Sequence, residues 1–527
     1  MSESFPEATE TSPAAPATAA GEQAEIPPGE EAVPEHAPNR IFWLCFAACS
    51  VATLLPLWLV DFLPATDLPQ HAAQIKLWQR WDAGLGRDLY KLNWFTPYLF
   101  GYSLVRLFAF FTEIETAIRI VLSGYVLALP LGMLAWLKAL RRPHEVALLA
   151  FPAAYGFSFQ WGFFNYTVAL PVALFFLALG ETHLQRPTRR TTIGLALFSV
   201  FLFFAHVLIL AACGVLLFGR ALLLRRISAT VVRLLPAATG ALFVPPWIFA
   251  VRASHGAARH SSTGWELGLQ RFLDLPSLMF GLEGDRKAQL LGLLLLAWGL
   301  VSIVFALVRR RPGLLVAPAV ALLLYAFIPS HAMNTFFLAP RFGVIVALVL
   351  VPMLALPRSR LGRGIALGAI VLGIGAWSTV TTQRFLGFDA EARGLNEVLA
   401  AAEPDKRLLG LTYDQGSRHF GGRPFLHFPA YYQARKGGEI GFSFAQFFPQ
   451  LLRFRHGKQP DITPGLEWSP GRFDWNRDGG FDYLLVRSAK EPSLLKKNRL
   501  RARLVKASGS WRLYRIERSW PRRISAP

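Results

Sequence analysis

The segment Asp67-Leu68-Pro69-Gln70-His71 sets a carboxylate and an imidazole four positions apart. On a helix that spacing puts both side chains on one face, a turn apart. A carboxylate so placed can take a proton from a hydroxyl, with the imidazole beside it. The same residues have a plainer use, because Asp caps helix N-termini and Pro suits the first turn. A second constellation, Asp474-Trp475-Asn476-Arg477-Asp478-Gly479-Gly480-Phe481-Asp482, matches the first nine positions of a calcium loop. There, oxygen side chains at alternate positions turn inward and Gly makes the bend. Position twelve is Leu485 instead of Glu. Asp474, Asn476, Asp478 and Asp482 are thus candidate calcium ligands, the alternative being a polar turn ahead of a strand at 483–486.

The elements that must hold these residues are membrane helices. The chain has 527 residues, is 53% hydrophobic and only 17% charged, and has a positive mean hydropathy. A soluble chain carries about a quarter charged residues. The apolar residues come in long blocks, such as 41–60, 290–308 and 344–356, as bilayer spans do. Residues 1–39 contain eight Glu and no Lys, Arg or Asp, and their Pro- and Ala-rich composition predicts a disordered tail. The tail lacks the basic start and early apolar core of a signal peptide. With a net charge of +21, residues 40–527 carry +29 by difference. Such a basic body suits membrane lipids and phosphates, and no nucleic-acid recognition motif accompanies it. Cys45, Cys49 and Cys213 all lie in apolar segments, which leaves no disulfide framework or thiolate metal site for the C-terminal region. The absence of a phosphate-cradling Gly loop and of a dinucleotide fingerprint argues against ATP hydrolysis or a nucleotide-sugar donor.

Basic residues collect in short cytoplasmic loops, and five such clusters occur at 138–142, 186–190, 220–233, 309–311 and 358–363. Placing all five inside predicts eleven spans: 41–63, 117–137, 145–161, 163–182, 192–207, 208–219, 234–251, 288–308, 313–329, 335–356 and 364–383. The stretch 192–219 is short for two spans and reads as a bent hairpin. Trp94 to Phe111 then lies outside as an interfacial helix. A rival assignment makes it a span and 191–218 a single helix, at the cost of two basic loops outside. In the preferred topology the C-terminus is extracytoplasmic, and the polar residues in apolar surroundings fall on one side. They are Asp67 and His71, Trp161 to Tyr166, His206, Arg252 to His260, and His331 to Arg341. Ionisable groups near bilayer depth mark a polar cavity.

An acidic residue in the first external loop, followed by Pro and His and then interfacial helices, resembles the C-type glycosyltransferase superfamily. These membrane enzymes use polyprenyl-phosphate sugars as donors. Pro97-Tyr98-Leu99 and Ala117-Ile118-Arg119 are similar to the stretch after that loop in bacterial members. The resemblance covers 41–383 and implies an inner-membrane GT-C-like fold in which Asp67 takes the proton of an acceptor hydroxyl. The sugar would pass to the acceptor with inversion while a lipid phosphate leaves. A leaving phosphate needs positive charge where negative charge builds up, and the candidates are His71, Arg252, Arg341, His206 and His331. Many members carry two adjacent acids, whereas Leu68 follows Asp67 here. A divalent metal cofactor therefore stays open, as does a second carboxylate among Asp61, Asp88, Glu113 and Glu115. The acceptor and the sugar are not specified.

Residues 386–527 read as a separate soluble α+β domain carrying 25 Lys and Arg against 14 Asp and Glu. A helix is predicted at 391–402 and strands at 407–413, 481–487 and 511–516. The aromatic run Phe425 to Tyr432, with His427 and Arg435, fits either a lipid or sugar contact or the core of that domain. Two other functions are compatible with a polytopic chain. One is a transporter or lipid flippase, although no inverted repeat with matching broken spans is visible. The other is a non-catalytic partner in envelope assembly, with Asp67 acting only as a cap.

Overall fold

The computed structural model describes residues 38–222, 227–255, 263–281, 312–332, 335–497 and 501–517, with single helical positions at 297, 301 and 304. The N-terminal tail, the expected span 288–308 and most of 252–260 lie outside the described residues.

Helix α1 (Arg40–Trp58) starts where the Asn39 side chain accepts the Phe42 N–H at 2.9 Å. After it come α2 (Leu68–Asp82), the short strand β1 (Tyr90–Leu92), α3 (Leu99–Phe108) and α4 (Ile114–Ala139). Next are α5 (Phe157–Trp161), α6 (Phe164–Gln185), α7 (Arg189–Ala205) and α8 (Val207–Leu222). A Thr188/Thr191 capping box begins α7. Beyond them lie α9 (Ile227–Leu234), α10 (Val244–His255), α11 (Leu269–Leu273), α12 (Leu275–Phe280), α13 (Val316–Phe327) and α14 (Leu338–Leu350). The 33-residue α15 (Arg360–Ala392) is capped by Ser359.

Among the described residues, five helical stretches are long and apolar enough to cross a membrane: Arg40–Trp58, Ile114–Ala139, Phe164–Gln185, Val231–Val251 and Arg360–Ala400. Each coincides with an expected span. One expectation is modified. Residues 145–161 do not form one α-helix; they run as 3-10 turns His144–Ala150 and Pro152–Tyr155 followed by α5, interrupted at Pro152 and Gly156. At ten residues α3 is too short to span, which favours the interfacial assignment of 94–111. The 192–219 stretch is broken at His206, whose extended backbone (φ −170°, ψ 116°) separates α7 from α8.

The C-terminal region contains α16 (Gly394–Ala400), α17 (Ala430–Lys436) and a five-stranded mixed sheet in the order β3-β2-β5-β7-β6. Its strands are β2 (Arg407–Thr412), β3 (Glu439–Ile440), β5 (Tyr483–Arg487), β6 (Ala502–Ser508) and β7 (Trp511–Ile516). Strand β2 runs parallel to β3 and β5, while β7 pairs antiparallel with β5 and β6. The three predicted strands are present; β3 and β6 were not foreseen.

Helix α15 runs through the expected boundary at 385/386. Asp389, beyond the expected boundary, accepts the backbone N–H groups of Asp61 and Phe62, both at 2.9 Å, and so ties α15 to the end of α1. Strand β4 (Leu452–Phe454) pairs antiparallel with β1 of the first loop. The Gln70 amide both donates to Phe442 O (2.9 Å) and accepts from Phe444 N (3.0 Å), while Gln74 Oε1 accepts from Leu452 N (3.0 Å). Buried amides satisfied this way fix register as well as adding stability, because leaving them unpaired is costly. Arg435 on α17 grips Glu115 on α4 with two bonds, 2.5 and 2.8 Å, both side chains about a quarter exposed.

Glu115→Gln should cost on the order of 2 kcal/mol, between values for exposed and buried pairs. Thermal unfolding in detergent measures this; an unchanged midpoint would show that the clamp does not hold the two regions together.

Candidate active site around Asp67

Asp67 stands at the N-cap position of α2, yet its side chain caps no backbone N–H. The carboxylate is 11% exposed and points instead toward the C-terminal region, where His427 Nε2 lies 3.4 Å from its Oδ1. The capping role that the sequence allows is therefore not the one adopted. The backbone at this point is fixed by the turn after α5. Thr66 N donates to Gln160 O (3.0 Å) and Asp67 N to Trp161 O (2.9 Å). Gly162 ends α5 in the left-handed region (φ +84°), and a Cβ there would come within 2.6 Å of Asp67 N.

His71 lies one turn along α2 and is buried. Its Nδ1 shares a 2.7 Å hydrogen bond with the Tyr102 hydroxyl, which in turn donates to Gln450 Oε1. The ring is packed by Phe164 and Phe444. His427 stacks flat on Phe442, with centroids 5.0 Å apart and planes at 5°. Burial lowers both imidazoles below their ordinary value; a hydrogen bond from the ring to the Gly162 backbone partly opposes this at His71, and His71 reinforces it at His427. Burial also pushes the Asp67 carboxyl well above the usual carboxylate range, opposed by the charge of Arg341.

Arg341, near the start of α14, is buried with its guanidinium 3.6 Å from the centroid of Phe163. It donates to the carbonyls of Phe337 and Phe336, both at 3.3 Å, and acts electrostatically on Asp67, Tyr98 and Tyr166. His206 at the α7/α8 break stacks on Tyr98 (5.3 Å) and meets the edge of Tyr166 (5.2 Å), whose hydroxyl donates to Arg341 O at 2.8 Å. The structure thus brings Asp67, His71, His206 and Arg341 into one buried polar neighbourhood. His331 is placed elsewhere, bridged to Gly264 and stacked on Phe336. Arg252 lies on α10, and its side chain is outside the described residues.

None of the four proposed second carboxylates reaches Asp67. Asp61 faces Asn396, Asp88 and Glu113 are exposed, and Glu115 is held by Arg435. A small cleft at the carboxyl ends of β2 and β3 is lined by His427, Gln70, Thr412, Phe442 and Glu467. Open α/β sheets bind ligands in such crevices. Burial raises the Glu467 carboxyl. The sequence marked His427 only as one member of an aromatic run, and it gave no sign of Glu467. The rest of that run is core: Phe425, Phe428 and Tyr432 are fully buried.

The calcium expectation is not met. Asp474 caps a short helix by accepting Asn476 N (3.0 Å), the fully buried Asp478 carboxylate accepts from Thr463 N, Thr463 Oγ1 and Asp474 N, and Asp482 accepts from Arg407 N. These oxygens are turned onto backbone donors, which is the polar-turn alternative. Among the described residues no group of three or more His, Cys, Asp or Glu could hold a metal ion, the surroundings of Asp67 included.

Gly162→Ala should misplace Asp67, because the added Cβ meets Asp67 N and the residue must hold a left-handed φ. Gly84→Ala is the control, with φ +85° but nothing within 4 Å of its Cβ. Melting midpoints should fall clearly further for Gly162→Ala; equal losses would mean the α5 turn does not constrain Asp67.

No family model matches the chain, and no curated protein matches it. Among solved structures it is similar to the crystal structure of ArnT from Cupriavidus metallidurans bound to undecaprenyl phosphate. The TM-score is 0.55 at 13% identity, over 91% of this chain and 99% of that one. The apo state of the same protein gives a TM-score of 0.52 at 14% identity, over 90% and 97% of the two chains. The chain therefore shares the polytopic helical membrane fold of that protein.

Proposed function

We propose that the protein is an inner-membrane glycosyltransferase that moves a sugar from a polyprenyl-phosphate carrier to an acceptor hydroxyl outside the cytoplasm. The observation that carries this reading is Asp67: a buried carboxylate at a helix start that caps nothing, within the electrostatic reach of a buried arginine. The fold shared with a protein crystallised with undecaprenyl phosphate supplies the donor class.

In this reaction the acceptor oxygen attacks the anomeric carbon while Asp67 takes its proton. The bond from that carbon to the phosphate oxygen breaks, its electron pair goes to the phosphate, and the configuration inverts. Arg341 offsets the negative charge that builds up on the leaving phosphate. His206, held between Tyr98 and Tyr166, lines the same neighbourhood, and Tyr98 is itself electrostatically coupled to both Asp67 and Arg341.

Asp67→Asn keeps the shape but cannot accept a proton, so sugar transfer by purified protein should fall on the order of a hundredfold to ten-thousandfold. Stability should not fall with it. The folded carboxyl binds its proton more tightly than the unfolded one, so ionisation near neutral pH works against folding, and Asn removes that loss. A fully active Asp67→Asn protein would defeat the catalytic assignment. For the same reason the transfer rate should rise with pH through a value above the ordinary carboxylate range; a rate already level near pH ~4 would contradict a raised base. The topology has its own check: a reporter active only in the cytoplasm, fused after Pro527, should be silent, and strong activity would overturn the extracytoplasmic C-terminus.

A further inference from the structure

We infer that His427 is a positioning residue for Asp67, donating its Nε2–H to the carboxylate and so favouring its ionised form and fixing its orientation. The inference deepens the reading above and rests on Asp67 being the base.

Three observations carry it. The first is the approach itself: Nε2 and Oδ1 are 3.4 Å apart between two buried side chains, 6% and 11% exposed. The second is that the ring is fixed before any substrate arrives. It stacks on Phe442 and meets the edge of Phe444 at 5.5 Å, and the 442–444 backbone is itself hooked to α2 by the Gln70 amide. A base held by a third group oriented in this way is the general logic of catalytic dyads and triads. The third is connectivity, since His427 lines the cleft at the ends of β2 and β3 while its Nε2 faces Asp67. It therefore links the base to that cleft.

The charge state follows from the surroundings. Asp67 is faced by Tyr98 and Tyr102 from the segment that includes α3, Arg341 from α14, and His427 from the C-terminal region, while His71 on its own helix turns its ring to Tyr102. Burial keeps the imidazole neutral, so it has one N–H to give, and an ionised carboxylate is the acceptor that makes the stronger bond. A neutral donor lowers the proton affinity of Asp67 without adding a charge that would compete with Arg341 for the phosphate.

The test reads Asp67 directly and needs no turnover. Infrared pH titration of the full-length protein in detergent follows the C=O stretch of protonated Asp67, identified by its disappearance in Asp67→Asn. In His427→Phe the midpoint should rise by about one to two pH units, the loss of one hydrogen bond to a charged group. In His427→Gln, whose amide can still donate, it should return most of the way to wild type. An unchanged midpoint in His427→Phe, or a His427→Gln protein displaced as far as His427→Phe, overturns the proposal. Should His427→Phe fail to fold, ¹⁵N-histidine NMR of the wild type decides, with the His427 signal assigned by its loss in His427→Gln. A protonated Nε2 is expected, and an Nδ1–H tautomer would contradict it. If the midpoint moves as expected while the wild type transfers no sugar, the donor reading fails and the positioning of Asp67 stands.

Discussion

A carboxylate removed from water must be met by donors or by opposite charge, or it will hold its proton. Asp67 is such a group, and much of the architecture answers to it. The α5 turn fixes its backbone through Trp161, with Gly162 as the only residue type that fits the approach. Arg341 acts on it from α14 and His427 stands against it from the C-terminal region. These three contacts come from segments far apart in sequence. The site exists only when membrane helices and C-terminal region are assembled together, which is why residues 32–527 behave as a single compact unit.

The same constraint explains the position of the C-terminal region. Gln70 and Gln74 present buried amides on the face of α2 that also carries His71, and backbone groups of residues 442–452 pair both ends of Gln70 and the Oε1 of Gln74. Asn93 adds bonds to the carbonyls of Phe448 and Gln450, at 3.2 and 3.3 Å. The covering segment thereby brings Phe442 and Phe444 against His427 and His71, excludes water from the carboxylate, and leaves the cleft at the ends of β2 and β3 as an opening beside it. Low local polarity strengthens each remaining electrostatic interaction, including that between Arg341 and Asp67.

The legible part of the sequence was the part governed by local periodicity. Long apolar runs placed α1, α4, α6 and α15, and alternation placed β2 within one residue. Strand β6 escaped because its solvent-facing residues Arg503 to Lys506 show no buried alternation, and β1 and β4 because three residues carry no period. Asp67 was visible, but its use was not, since a capping Asp and a free buried Asp look alike in sequence. The difference lies in His427 and Arg341, which only the fold brings near. The calcium loop misled for a related reason: nine positions match, yet the oxygens of Asp478 are taken by Thr463 and Asp474, and the motif says nothing about Thr463.

The central claim is that the buried neighbourhood between Asp67 and Arg341 receives a lipid-linked phosphate. A cryo-electron microscopy structure of the protein with undecaprenyl phosphate tests it most directly. The account predicts phosphate density within hydrogen-bond reach of the Arg341 guanidinium, on the side that faces Asp67. Well-ordered phosphate density elsewhere on the molecule, with that neighbourhood empty, would contradict it.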